Sequence, residues 1–156
     1  MQKLEYKIFC AIVCGMMYVI VVGSAYSRDN AVTLKQIQEA IMQVATMKDQ
    51  VFYQSDKGPH LANLTKKVDP KKVDIRTLRD LESLLDSDND LTRYWGAVAI
   101  GNLGPHAKVA VPKLLKTLSK VDCLNGVITS ADGIRYALKR IGVKPPPQPK
   151  CVRISA

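Results

Sequence analysis

Histidine is nearly missing from this 156-residue chain: His60 and His106 are the only two, each directly after a proline. A metal centre needs three or four converging ligands, and acid–base or nucleophilic catalysis needs a base within reach of its partner. Each histidine sits at an expected helix start, without a serine or cysteine nucleophile or a paired carboxylate in evident reach. The chain therefore offers no constellation for an enzyme, a metal or a cofactor. Strand signals are also lacking: no alternating or β-branched run of useful length occurs. What remains is a helical pattern and a surplus of positive charge, 23 Lys and Arg against 14 Asp and Glu.

Charge is absent altogether from Ile8 to Ser27, and Ile8 to Val22 is apolar except for Gly15. Lys3 and Lys7 precede this run, and Gly23-Ser24-Ala25 follows it. A basic start, an apolar middle and a small-residue exit describe a secretory signal over residues 1–25. The alternative is a retained membrane anchor over residues 8–27, since 20 uncharged residues can just span a bilayer. Either way the remainder is expected outside the cytoplasm, periplasmic or secreted. Without residues 1–25 the chain keeps a net charge of +8. Such a surplus favours acidic proteins, anionic lipid, envelope polymers or nucleic acid, and export disfavours nucleic acid.

Cysteine is scarce too. Cys10 and Cys14 fall inside the apolar run, leaving Cys123 and Cys151. A pair in an exported protein reads as a disulfide. It would close a loop of 29 residues, worth about 3–4 kcal/mol in the loop-entropy picture.

Past the first segment, residues 28–72 read as one helix and a polar connector. Thr33 and Gln36 form a capping box, and Leu34, Ile37, Ile41 and Val44 keep helical spacing to about Gln50. The lysine-rich stretch Ser55 to Lys72 has room for a short helix from Pro59 to Lys67. From Asp74 the pattern becomes regular. Asp74 is expected to cap a helix bearing Ile75, Leu78, Leu81 and Leu85, and Asp90 the next, bearing Leu91, Trp95, Val98 and Leu103. A third helix is expected over His106 to Lys120, with Pro112 kinking it or splitting off a first turn. The fourth opens at Thr129 with Asp132 and closes at Gly142. The tail 143–156, with Pro145-Pro146-Pro147, is expected to extend as polyproline.

These four helices are two copies of one unit over residues 74–142. Leu78, Leu81 and Leu85 align with Val111, Leu114 and Leu118 at an offset of 33; Ala99, Leu103 and Gly104 align with Ala137, Ile141 and Gly142 at 38. The insertion falls in the turn holding Cys123, and a fixed period with one loop insertion is the mark of a helical solenoid.

The segment Leu81 to Leu85, an acidic turn, Leu91-Thr92-Arg93 and Ala97-Val98-Ala99-Ile100-Gly101-Asn102-Leu103-Gly104 resembles a HEAT repeat. Ala110-Val111-Pro112-Lys113-Leu114-Leu115 resembles the proline-bearing first helix of the next. Similar pairs occur at the ends of some bacterial envelope enzymes and in the lyase-like HEAT families of phycobilisome assembly. The resemblance implies an all-α fold: a short right-handed α-solenoid of two HEAT-type pairs with an N-terminal capping helix. A chromophore lyase role is implied only by the lyase-type analogy, and fold does not fix function; with no catalytic constellation present, binding and not catalysis is expected. Ala131 departs from the pattern, standing where Arg93 would have a basic counterpart.

The turn Asp86-Ser87-Asp88-Asn89-Asp90 starts like a calcium loop, but Leu91 stands where glycine is needed and Ala97 where glutamate is needed. Its acids are expected to cap the next helix and pair with Arg93. The candidate contacts are Arg93, Tyr94, Asn102, Arg135, Tyr136, Lys139 and Arg140, with Trp95 placed in the core by its stripe. Lys113, Lys116 and Lys120 make a second basic row. The expected partner is an acidic protein.

Overall fold

The computed structural model describes residues 32–47, 55–121 and 129–148. The apolar segment near the start, all four cysteines and the disulfide expected between Cys123 and Cys151 lie outside the described residues. Among those residues every regular element is helical: α1 Leu34–Ala45, α2 Lys57–Lys67, α3 Ile75–Ser83, α4 Asp90–Asn102, α5 Val111–Val121 and α6 Ser130–Ile141.

Helix starts follow local chemistry. The Gln36 amide donates to Thr33 Oγ1 at 3.3 Å while the Thr33 amide donates to Gln36 Oε1 at 2.9 Å, so two otherwise orphaned donors of α1 are satisfied together. Asp74 Oδ1 accepts from the Thr77 amide at 2.7 Å at the head of α3. At α6 the Asp132 carboxylate accepts from both the amide and the hydroxyl of Thr129, at 2.8 and 2.9 Å. Gly142 ends that helix at φ +94°, and the Val143 amide turns back to the Leu138 carbonyl at 2.8 Å. That is the left-handed glycine closure that leaves few carbonyls unmet.

Several boundaries differ from the sequence expectation. Asn89, not Asp90, caps α4, its Oδ1 accepting from the Thr92 amide at 3.0 Å; Asp90 is the first helical residue, and its carboxylate is used elsewhere. The helix expected from His106 begins as an α-helix only at Val111, after a 3-10 stretch over Gly104–Ala110. Pro112 then occupies the second position of α5, where its missing amide costs no helical bond. The α1 helix ends at Ala45, short of Gln50. The short helix expected from Pro59 to Lys67 begins two residues earlier, as α2 over Lys57–Lys67, and buries Leu61, Leu64 and Thr65. A 3-10 turn over Pro70–Lys72 follows it.

Helix α4 lies at the middle of the packing, against α2, α3 and α6. Small residues make this possible. A Cβ on Gly101 would stand 2.7 Å from the Ala137 Cα, and one on Gly133 would stand 2.9 Å from the Tyr94 side chain. A Cβ on Gly58 would meet the Trp95 ring at 2.1 Å. These approaches also fix direction. Residues 94 and 101 of α4 meet 133 and 137 of α6, while 58 of α2 meets 95 and 62–65 meet 102. So α2, α4 and α6 run parallel. The end of α1 meets the start of α4, where the Val44 carbonyl accepts from the Thr92 hydroxyl at 3.3 Å. Ile37, Leu61, Leu81, Ile100, Leu114, Ile134 and Leu138 are fully buried, so each of the six helices contributes to one apolar core.

Candidate surface on helices α4 and α6

Two polar knots hold the α4–α6 seam. In the first, Asp90 Oδ2 accepts the Ser130 amide at 3.0 Å and Oδ1 accepts the Ser130 hydroxyl at 2.5 Å. Arg93 binds Asp90 Oδ1 at 2.9 Å and donates to the Ser87 and Asp88 carbonyls at 2.6 and 3.0 Å. One planar guanidinium thus closes the acidic turn and, through Asp90, joins the starts of α4 and α6. The Arg93 side chain is only 13% exposed. Its donors are spent inside the fold, so of the candidate contacts Arg93 is a structural residue.

The second knot is Asn102. Its Nδ2 donates to the Ala62 carbonyl at 2.9 Å and to Thr65 Oγ1 at 3.3 Å, and its Oδ1 accepts from the Tyr136 hydroxyl at 3.0 Å. One amide therefore joins α2, α4 and α6. Tyr136 remains 40% exposed although its hydroxyl is held.

Beside this knot lies an aromatic group. The Tyr94 and Trp95 rings meet edge to face, with centroids 4.9 Å apart and planes at 82°. Both are half-buried, and Trp95 packs against the core as its stripe implied. Burial pushes the Tyr94 phenol above its ordinary range, helped by the negative charge of Asp132 and then by Tyr136. Lys139 and Arg140 are exposed in the last turn of α6. Arg135 is half-buried and donates through Nη1 to the Pro146 carbonyl, which ties the tail to α6. Tyr94, Asn102, Tyr136, Lys139 and Arg140 are thus gathered along two parallel helices.

Other candidates separate from this group. Lys113, in the second basic row, forms an ion pair with Asp86. A polar cleft of about 280 Å³ lies between the acidic turn and α5, lined by Asp86, Asp88, Arg93, Thr117 and Lys120. Its charges are balanced. Among the described residues no three His, Cys, Asp or Glu side chains gather closely enough to hold a metal ion, and no helix is long and apolar enough to cross a membrane. Sequence reading missed the part played by Ala62 and Thr65, because contacts between distant helices leave no periodic signal. Comparison with protein-family models, with curated proteins and with solved structures finds no match to this chain.

Proposed function

We propose that this chain is a non-catalytic, exported helical-repeat protein of HEAT type that binds an acidic protein partner along α4 and α6. In this reading the helices pair as α1 with α2, α3 with α4 and α5 with α6, in a short right-handed solenoid. The parallel course of α2, α4 and α6 supports that arrangement, which turns the expected capping helix into the first member of a third pair.

The observation that carries the binding reading is Tyr136. An aromatic ring that is 40% exposed yet fixed through its hydroxyl to Asn102 has already lost its rotamer freedom. Such a ring offers contact area at little further entropic cost. Arg140 and Lys139 beside it favour an acidic partner and speed its encounter. Tyrosine, tryptophan and arginine are the residue types that concentrate binding energy.

The test is affinity capture from a native envelope extract under oxidising conditions, with the full chain and its Tyr136→Ala/Arg140→Glu variant side by side. The reading expects one stoichiometric protein that survives moderate salt on the native chain and is held about tenfold or more weakly by the variant. Equal capture by both chains overturns the site. Absence of any stoichiometric partner overturns the function. Resistance of Cys123 and Cys151 to alkylation until reductant is added is the outcome expected for the exported, disulfide-closed chain.

A further inference from the structure

Three parallel helices bring their C-terminal ends to one end of the molecule. The last turn of α2 carries Lys66 and Lys67, and the 3-10 turn after it carries Lys71 and Lys72. That turn packs against the Gly104–Ala110 segment, which carries Lys108. The end of α4 lies beside the end of α6, with the Gly104 Cβ position 3.9 Å from the Arg140 carbonyl, and Lys144 follows α6. All six lysines are exposed. The carboxylates at this end, Asp69 and Asp74, are both engaged as caps. Among the described residues no carboxylate lies within ion-pair distance of any of the six lysines.

Two aliphatic side chains stand among these cations. Val109 is 60% exposed and Ile75 is 54% exposed. Val109 follows Lys108 directly. Ile75 opens α3, which packs against the same 3-10 segment. The opposite end of the parallel helices is mixed in sign: Asp56, Asp88, Asp90 and Asp132 lie at or beside helix starts, together with Lys57, Arg93 and Lys120. An unbalanced cationic end orients a protein at a charged surface.

We propose that the lysine-rich end, formed by the ends of α2, α4 and α6, docks on an anionic phospholipid surface, with Val109 and Ile75 entering the headgroup layer. Lysine is a hydrated point charge on a flexible stem. Protein interfaces are depleted in lysine and enriched in arginine and aromatics; apart from Arg76 and the Arg140 it shares with the Tyr136 surface, the cations at this end are lysines. A diffuse lysine field interleaved with exposed aliphatics matches an anionic bilayer, where charge attracts and apolar side chains bury shallowly. A nucleic-acid backbone would use the lysines and give the aliphatics no role. This end adjoins the Tyr136 surface at the last turn of α6, which carries Lys139 and Arg140, but none of the six lysines is part of that surface.

The experiment is vesicle co-sedimentation of the full chain on phosphatidylcholine with and without phosphatidylglycerol. Residues 1–31 are the same in every variant, so the readout is the change in excess binding to the anionic vesicles between the native chain and each variant. The native chain is expected to show an excess that falls with salt. Each lysine lost near an anionic leaflet weakens partitioning about fivefold, so Lys71→Gln/Lys72→Gln/Lys108→Gln should reduce the excess by about a hundredfold. Lys57→Gln/Lys116→Gln/Lys120→Gln removes equal charge elsewhere and should reduce it far less. Val109→Ser and Ile75→Ser should each weaken the excess severalfold. Three results would overturn the proposal: no excess on anionic vesicles, equal loss from both lysine sets, or an excess that Val109→Ser and Ile75→Ser leave intact while a polynucleotide competes it away. The last would assign the end to a polyanion.

Discussion

Arg93 meets the Ser87 and Asp88 carbonyls, the Asp90 carboxylate and, at 3.4 Å, the Ser130 hydroxyl. Its pairing with Asp90 was legible in the acidic turn. The Ser130 end was not, because it depends on α6 arriving 40 residues later. Arg93→Ala should destabilise the fold by about 2 kcal/mol, less than a fully buried pair because the Asp90 side chain is 37% exposed. A urea midpoint unchanged by the substitution would contradict that. Asp74 supplies a pH signature. The hydrogen bond from the Thr77 amide holds its carboxyl below the ordinary range, with a smaller contribution from Arg76. A carboxyl lowered by folding adds stability above its unfolded pKa, and that contribution is lost as pH falls through the folded value. Asp74→Asn should therefore flatten the acid limb of the stability–pH curve below the normal carboxylate pKa, and lower the curve above it without changing its slope there.

Among the elements, those with strong local signals were readable: the boxes at Thr33 and Thr129, the cap at Asp74, the stop at Gly142 and the break at Pro112. Helix α2 gave a weaker signal: Pro59 at the first turn and the run to Lys67 were legible as a short helix, but Leu61 and Leu64 are its main apolar anchors and lysine, asparagine and threonine surround them. Its place is set by what it packs on, the Trp95 ring beside Gly58 and Asn102 beside Ala62. The same holds for the α4–α6 seam. Gly101 reads in sequence as a weak point in a helix, yet it is where α4 and α6 approach most closely. Gly101→Ala gains helix propensity of about 1 kcal/mol. It also places a methyl 2.7 Å from backbone, and forced packing of this kind costs about 1–3 kcal/mol. Net destabilisation is expected at Gly101 and Gly133, read as a lower thermal midpoint. A raised midpoint in both alanine variants would show that the seam is looser than these distances describe.

For the molecule as a whole, net charge was plain in the sequence and its distribution was not extracted from it. Residues 28–103 hold eleven Lys and Arg and eleven Asp and Glu, while residues 104–156 hold ten and two. That imbalance could have been found by counting. The clustering of Lys71 and Lys72 with Lys108 could not, since it needs the parallel course of α2 and α4. The candidate surface divides in the same way. Tyr136, Lys139 and Arg140 were readable as an exposed patch, whereas the fixing of Tyr136 by Asn102 and the internal use of Arg93 depend on three helices meeting. The central claim is that the fixed Tyr136 surface receives the protein partner. Hydroxyl-radical footprinting of the full chain, alone and with the partner it captures, tests this most directly. Tyr136 oxidation should fall on binding while Met42, 61% exposed on α1, stays as reactive as before. Protection of Met42 with Tyr136 unchanged would put the partner on another face and contradict the account.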